Sequence, residues 1–258
     1  MISFVIPAHN EAELLGRTLA ALSASAETLG ESWEAIVVND ASTDRTAEIG
    51  AAHGARVITV NHRQIAATRN AGARSAAGEV LFFVDADTVV TTGAVRAAVR
   101  ALRRGAVGGG CLVRFDGPVP LYAAILERVL LPVLLPLLKM APGCFLFCTR
   151  PAFNAAGGFD EALFWSEEVA FGNRLKRQGR FVILRECVAT SGRKVRAHSA
   201  LDLLRVGIRL ALGRRSGLDY WYGQRPGAGS QTPNQALQQT GAACRLSGIH
   251  SPLSGPGC

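Results

Sequence analysis

Two carboxylates, Asp85 and Asp87, stand one residue apart at the end of an apolar run, Val80-Leu81-Phe82-Phe83-Val84. In an extended chain, positions i and i+2 project to the same side. Two acids at a buried strand end repel unless a cation or a proton intervenes. Oxygen ligands of this kind suit Mg2+ or Mn2+, which also take phosphate oxygens. Acids capping the next helix would account for the same residues, so the pair alone leaves both roles open. Asp40 closes a second apolar run, Ala35-Ile36-Val37-Val38-Asn39. Its carboxylate can accept from a base N–H or a ribose hydroxyl, or cap the segment starting near Thr43. Ser42 can do that capping, which leaves Asp40 free. Pro7-Ala8-His9-Asn10-Glu11 follows the first apolar run. No GxGxxG turn occurs there, so a dinucleotide-dependent oxidoreductase loses its main support. Arg69 suits a phosphate or a base edge, or a solvated helix face. Glu167 and Glu168 follow Ser166 at a helix start, where the dipole favours acids; either can serve as a general base for an acceptor hydroxyl.

These residues need a scaffold, and the chain offers one. The strand candidates are 2–6, 34–38, 56–60 and 80–84, largely apolar on both faces, as parallel strands covered by helices are. Helical spacing fills 11–25, 43–53 and 64–77 between them, giving repeated βαβ units. The ends of such strands are where open α/β sheets bind ligands. Further on, 95–104 reads as a helix, 106–115 as a glycine-rich strand and 144–148 as another strand. Residues 121–140 read as an apolar helical stretch interrupted by Pro132 and Pro136. A short helix is expected over 151–156, broken by Gly157 and Gly158. A helix over 167–178 is capped by Ser166 and stopped by Gly179. A strand follows at 181–184, then a basic helix at 197–212. Residues 227–258, rich in Gly, Ser, Gln and Pro, lack periodicity and read as disordered. The domain is thus expected over 1–222, its nucleotide-binding half about 1–90 and its acceptor half about 91–222, with 223–258 as a tail.

The chain has 258 residues and a formal net charge of +8. That charge suits anionic small molecules or an anionic membrane surface. Nucleic acid is not an expected partner, because the basic residues lack interleaved aromatics. The longest uncharged apolar segment, 129–138, is short for a span and holds two prolines; the stretch 121–138 reads as acceptor-side core, the alternative being that 121–140 offers apolar area to a membrane surface. Arg193, Lys194, Arg196, Arg205, Arg209, Arg214 and Arg215 are candidates for contact with anionic lipid. The opening run shows no basic n-region of a secretory signal. The six cysteines complete no zinc set and read as reduced thiols of a cytoplasmic protein, one that can be peripheral at the inner face of the membrane.

Taken in order, these clusters resemble family 2 glycosyltransferases of the GT-A fold. The matching stretches are Ile2-Ser3-Phe4-Val5-Ile6-Pro7-Ala8-His9-Asn10-Glu11, Val37-Val38-Asn39-Asp40-Ala41-Ser42-Thr43-Asp44, Arg69-Asn70-Ala71-Gly72 and Asp85-Ala86-Asp87. Gly157-Gly158-Phe159-Asp160-Glu161 and Glu167-Glu168 follow, and the resemblance covers about 1–190. It implies an α/β, GT-A-type fold, a Rossmann-like and mostly parallel sheet flanked by helices. It also implies inverting transfer of a sugar from a nucleotide-sugar donor to an acceptor hydroxyl, with Mn2+ or Mg2+ as cofactor. Pro7, His9 and Glu11 would line the nucleotide pocket. Asp40 would contact the nucleobase, with Arg69 nearby. Asp85 would face the ribose or the metal, and Asp87 would ligate the metal directly. Glu168 stands where the family carries the Asp of a Glu-Asp pair and would be the base. Nothing over 108–150 identifies the acceptor, whether glycan, lipid or small molecule. The alternatives are a nucleotidyltransferase, which would need a glycine- and basic-rich loop after the first strand, and a non-catalytic nucleotide-sugar or membrane-surface module.

Overall fold

A computed structural model describes residues 1–163 and 166–193, all within the compact unit Met1–Arg225. The expected basic helix at 197–212, with Arg205 and Arg209, and the expected tail lie outside the described residues.

Strands β1 (Ile2–Ala8), β2 (Trp33–Asp40), β3 (Arg56–Val60) and β4 (Val80–Val84) alternate with helices α1 (Leu15–Glu27), α2 (Thr46–Ala52) and α3 (Ile65–Ser75). A short strand β5 (Thr88–Val89) precedes α4 (Thr92–Arg103) and β6 (Ala106–Asp116). Helix α5 (Leu121–Ile125), a π-helical turn (Leu126–Leu130) and α6 (Leu131–Leu138) come next. The described elements close with β7 (Phe145–Thr149), α7 (Arg150–Ala155), α8 (Glu167–Gln178) and β8 (Arg180–Ser191). The strands form one sheet of order β3-β2-β1-β4-β7-β6-β8-β5. β3, β2, β1 and β4 are mutually parallel; β7 is antiparallel to both its neighbours, and β6 and β8 are parallel. The expected mostly parallel α/β sheet is present, with antiparallel pairings at β7 and β5 that the sequence did not indicate.

Adjacent residues of β4 serve opposite faces, as a period of two requires. Phe82 meets Phe4, Phe145 and Phe147 in one layer. Phe83 meets Phe153, Phe159 and Phe171 in the other. This double burial explains why the strand is apolar throughout. Gly72 lets α3 lie against β1: a Cβ there would sit 2.3 Å from Val5 Cγ1.

Five expectations change. β8 runs to Ser191, well past residue 184, because β6 pairs with it along its whole length and overrides its polar composition. α1 starts at Leu15 rather than residue 11, because 9–13 form a loop bonded to the segment after β2. Ser166 does not cap α8 through its side chain; it takes a left-handed conformation at φ 60°, and only its backbone carbonyl accepts, from Val169 N and Ala170 N. Residues 121–138 form one unbroken helical run, not two pieces. The wider π turn, with Leu131 N donating to Leu126 O, leads into Pro132 in the first turn of α6, where a missing N–H costs little. Nor is this run acceptor-side core: Leu121, Val133 and Leu137 are 77%, 61% and 72% exposed. The four described cysteines are free thiols, as expected, and burial pushes Cys111, Cys144 and Cys148 well up.

Candidate active site

The strand ends converge as the sequence implies. The loop after β1 is tied to the loop after β2: Asn10 N donates to Ser42 Oγ (3.0 Å), and Asn10 Oδ1 accepts from Thr43 N (2.8 Å). Glu11 N donates to Thr46 Oγ1 at 2.8 Å. His9 Nδ1 lies 2.6 Å from Asp40 O. A carbonyl only accepts, so Nδ1 carries the proton and Nε2 accepts from Asn10 Nδ2. Pro7 lies beyond the last β1–β4 pair, Val5 with Phe83, so its missing N–H leaves no gap on that side.

Asp40 is not the free carboxylate expected. It is 1% exposed, and its oxygens accept from His62 N, Arg63 N, Gln64 N and Thr68 Oγ1 at 2.7–3.3 Å. A carboxylate offers about four acceptor sites, so Asp40 spends its capacity fixing the turn into α3. Arg69 departs further from expectation, being buried to 1% exposure. Its Nη1 donates to Glu167 Oε1 (2.7 Å), and its Nη2 to Asp85 Oδ1 (2.9 Å) and Gly143 O (3.0 Å). Its plane lies over the Phe159 ring at 5.3 Å. Burial alone would lower its pKa, but Asp85, Glu167 and Glu168 more than offset that, and the guanidinium stands above its usual value. Arg69 is thus a buried cation among three carboxylates, neither a solvated charge nor a direct phosphate ligand. Asn70, next in sequence, holds the glycine turn: Oδ1 accepts from Phe159 N (2.8 Å), and Nδ2 donates to Phe159 O and Glu161 Oε1.

Asp85 and Asp87 share a strand end but turn to different guanidiniums. Asp85 turns to Arg69. Asp87 turns the other way, toward Thr190 Oγ1 and Arg193 Nη2, both at 3.4 Å. The repulsion that pointed to a metal is offset here by two guanidiniums. Arg193 also donates to Glu11 Oε2 at 2.7 Å, joining the end of β8 to the loop after β1. It points into the site, so its expected role as a membrane-facing charge is corrected. Among the described residues no cluster of three or more His, Cys, Asp or Glu could hold a metal by itself. Divalent cations of this kind are commonly held by one or two carboxylates together with substrate phosphates. Asp87, with its side chain 16% exposed and a long contact to Arg193, fits that donor set, with Asp85 beside it.

The two glutamates of α8 interact with each other but differ in their roles. Glu167, 2% exposed, is committed to Arg69. Glu168 is raised to about 7, first by burial and then by the charge of Glu167, against the lowering pull of Arg69. Gly143 brings the wall close: a Cβ there would stand 3.3 Å from Arg69 Nη2 and 3.4 Å from Glu168 Cγ. Gly143, Thr190 and Arg193 carried no motif. Their partners lie far away in sequence, and only the polar end of β8 hinted at them.

Sequence and structure comparisons identify the family and the fold. The profile of Glycosyl transferase family 2 matches residues 3–155. An uncharacterized glycosyltransferase of Mycobacterium tuberculosis is 32% identical over 105 residues, 41% of this chain and 45% of that protein. The undecaprenyl-phosphate 4-deoxy-4-formamido-L-arabinose transferase of Salmonella enteritidis is 32% identical over 94 residues, 33% of this chain and 28% of that protein. The chain thus spans less than half the length of these curated relatives. A mannosyltransferase from Pyrobaculum calidifontis, solved with GDP-Man and Mn2+, superposes with a TM-score of 0.58 at 20% identity, covering 81% of this chain and 64% of that one. At that identity the likeness concerns the fold, which is of the GT-A type.

Proposed function

The chain belongs to glycosyl transferase family 2, and from that premise we propose that it moves a sugar from a nucleotide-diphosphate sugar to an acceptor hydroxyl with inversion. The observation that supports the reading is the Arg69 guanidinium, which joins Asp85 of the strand-end pair to Glu167 of α8, next in sequence to Glu168. Asp87 is set for a cation and a diphosphate; Glu168 is poised near neutrality. The loops after β1 and β2, with Pro7, His9 and Glu11, form the donor's nucleoside side. Asp40 shapes that side through the turn at 62–64.

Asp87, with Asp85 beside it, would hold Mn2+ or Mg2+. A bound cation of this kind neutralises charge on the departing diphosphate. Glu168 takes the proton of the acceptor hydroxyl as that oxygen attacks the anomeric carbon from the face opposite the diphosphate. A base near the operating pH does this best, and a value of about 7 meets the condition. Glu167 cannot share the task while it holds Arg69. Arg69 fixes Asp85 and Glu167 together, which keeps the two halves of the site in register. The domain responsible is taken as 1–222, working at the inner face of an anionic membrane.

The test compares Glu168→Gln with Glu167→Gln in turnover of UDP-, GDP- and dTDP-sugars to free nucleotide. Loss of ~10²–10⁴-fold in the first, with donor affinity kept, is expected of a lost base. Equal turnover in Glu168→Gln and the parent would place the base elsewhere.

A further inference from the structure

Of the ten large apolar side chains exposed among the described residues, nine lie on the single helical run 121–138; the tenth is Met1. The run touches the protein along one narrow seam of four-residue spacing. Ala123, Glu127 and Leu135 are buried there and Leu131 half-buried. Residues four apart share one helix face, so the rest of the circumference faces outward, and it is apolar. A surface helix of a water-soluble domain shows the reverse pattern, with polar residues outward. An exposed apolar area of this extent marks a site that something covers.

The charges say what. Glu127 is the only acid between 121 and 140, and it is buried, accepting from Phe115 N at 3.1 Å. The exposed charges of the run and its end are Arg128 and Lys139. Lys176 joins them from α8, its Nζ 3.3 Å from Leu138 O. Burial and then the charge of Lys139 lower the Lys176 ammonium, which places two like charges together at the helix end. An apolar cylinder closed by paired ammoniums suits acyl chains and anionic headgroups. A second copy of this chain could offer its own apolar face, but it would bring the same basic residues and no acid of the run to the charges at the helix end.

We propose that the run 121–138 lies in the surface of an anionic membrane, and that the acceptor hydroxyl is carried by a lipid of that membrane. At 18 residues the run is long and apolar enough to cross a bilayer by length and composition alone. Its seam, however, packs on β6 and β8, so the domain holds it in the interface, apolar face at the acyl boundary. The run then leads through Ala141 and Pro142 to Gly143, whose carbonyl binds Arg69 and where an added Cβ would stand 3.4 Å from Glu168 Cγ. The leaflet is thereby brought beside the base. This second half rests on the glycosyltransferase reading above.

The experiment is flotation of the full chain with phosphatidylcholine vesicles, with and without phosphatidylglycerol, for the parent and Val133→Glu/Leu137→Glu. UDP and GDP binding with Mn2+ is measured on both without vesicles. The parent should float with anionic vesicles, release with salt, and lose about five-fold in partition for Lys139→Ala. The double variant should lose at least about ten-fold while binding nucleotide as the parent does. No flotation of the parent, or a parent dimer that the double variant converts to a monomer, would overturn the membrane seat. Nucleotide binding absent from both proteins, with flotation intact, would leave the seat standing and overturn the glycosyltransferase reading instead. With membranes added, label from the donor sugar should enter the organic-extractable fraction; label confined to water-soluble product would refute the lipid acceptor.

Discussion

Replacing Arg69 by methionine keeps much of the side chain's bulk and removes its charge. The guanidinium is 1% exposed and donates to Glu167, 2% exposed, and to Asp85, 17% exposed. Removing one partner of a buried ion pair costs ~3–5 kcal/mol, because the other charge is left in a low dielectric. Asp85 keeps some contact with water, so the lower part of that range applies, about 3–4 kcal/mol. For a domain of this size each kcal/mol moves Tm by ~2–4 °C, giving a fall of about 6–16 °C. Differential scanning calorimetry measures it. Arg69→Met/Glu167→Gln should recover part of the loss, since the buried charge leaves with its partner. Arg69 also holds Glu168 down, so in the single variant the acid limb of donor turnover, where the base loses its proton, should move to higher pH. A melting point within about 2 °C of the parent would refute the view of Arg69 as the cation that binds the site together.

Other outcomes follow from the same geometry. Turnover should rise with pH through a midpoint near 7, as Glu168 loses its proton; a pH–rate profile flat from below to above that value would contradict the base assignment. Burial raises this carboxyl above its ordinary 4.5, so its stabilising contribution is complete below 4.5 and is lost as pH rises through about 7. Glu168→Gln should abolish that slope in melting temperature. Gly72→Ala places a methyl 2.3 Å from Val5 Cγ1 and should cost ~1–3 kcal/mol by overpacking, read by urea denaturation. Arg193→Ala removes a cation that contacts Asp87 and Glu11; Mn2+ binding without nucleotide, followed by electron paramagnetic resonance, should tighten, and unchanged affinity would show that Arg193 does not compete there.

The strand ends were legible because buried parallel strands are apolar to their last residue, and the polar residues that follow stand out. Asp40, Asp85 and Asp87 were found that way. Their partners were not, because pairing is a fact of three dimensions. Arg69 reads alone as a solvated or phosphate-binding charge. Its carboxylates lie 16 and 98 residues away, and Arg193 reaches Glu11 across 182. The helix at 121–138 failed for another reason. Two prolines suggested breaks, and apolar composition suggested core. A π turn absorbs the first proline, and composition alone cannot tell a core from a surface awaiting a partner.

The most direct measurement is titration calorimetry of UDP and GDP, each with Mn2+, into the parent and Asp87→Asn. The substitution keeps shape and removes charge on the carboxylate that would meet the cation. Nucleotide diphosphate should bind the parent only when Mn2+ is present, and the variant should lose that metal-dependent binding with its melting temperature kept. Binding that needs no metal and is equal in the two proteins would contradict the account.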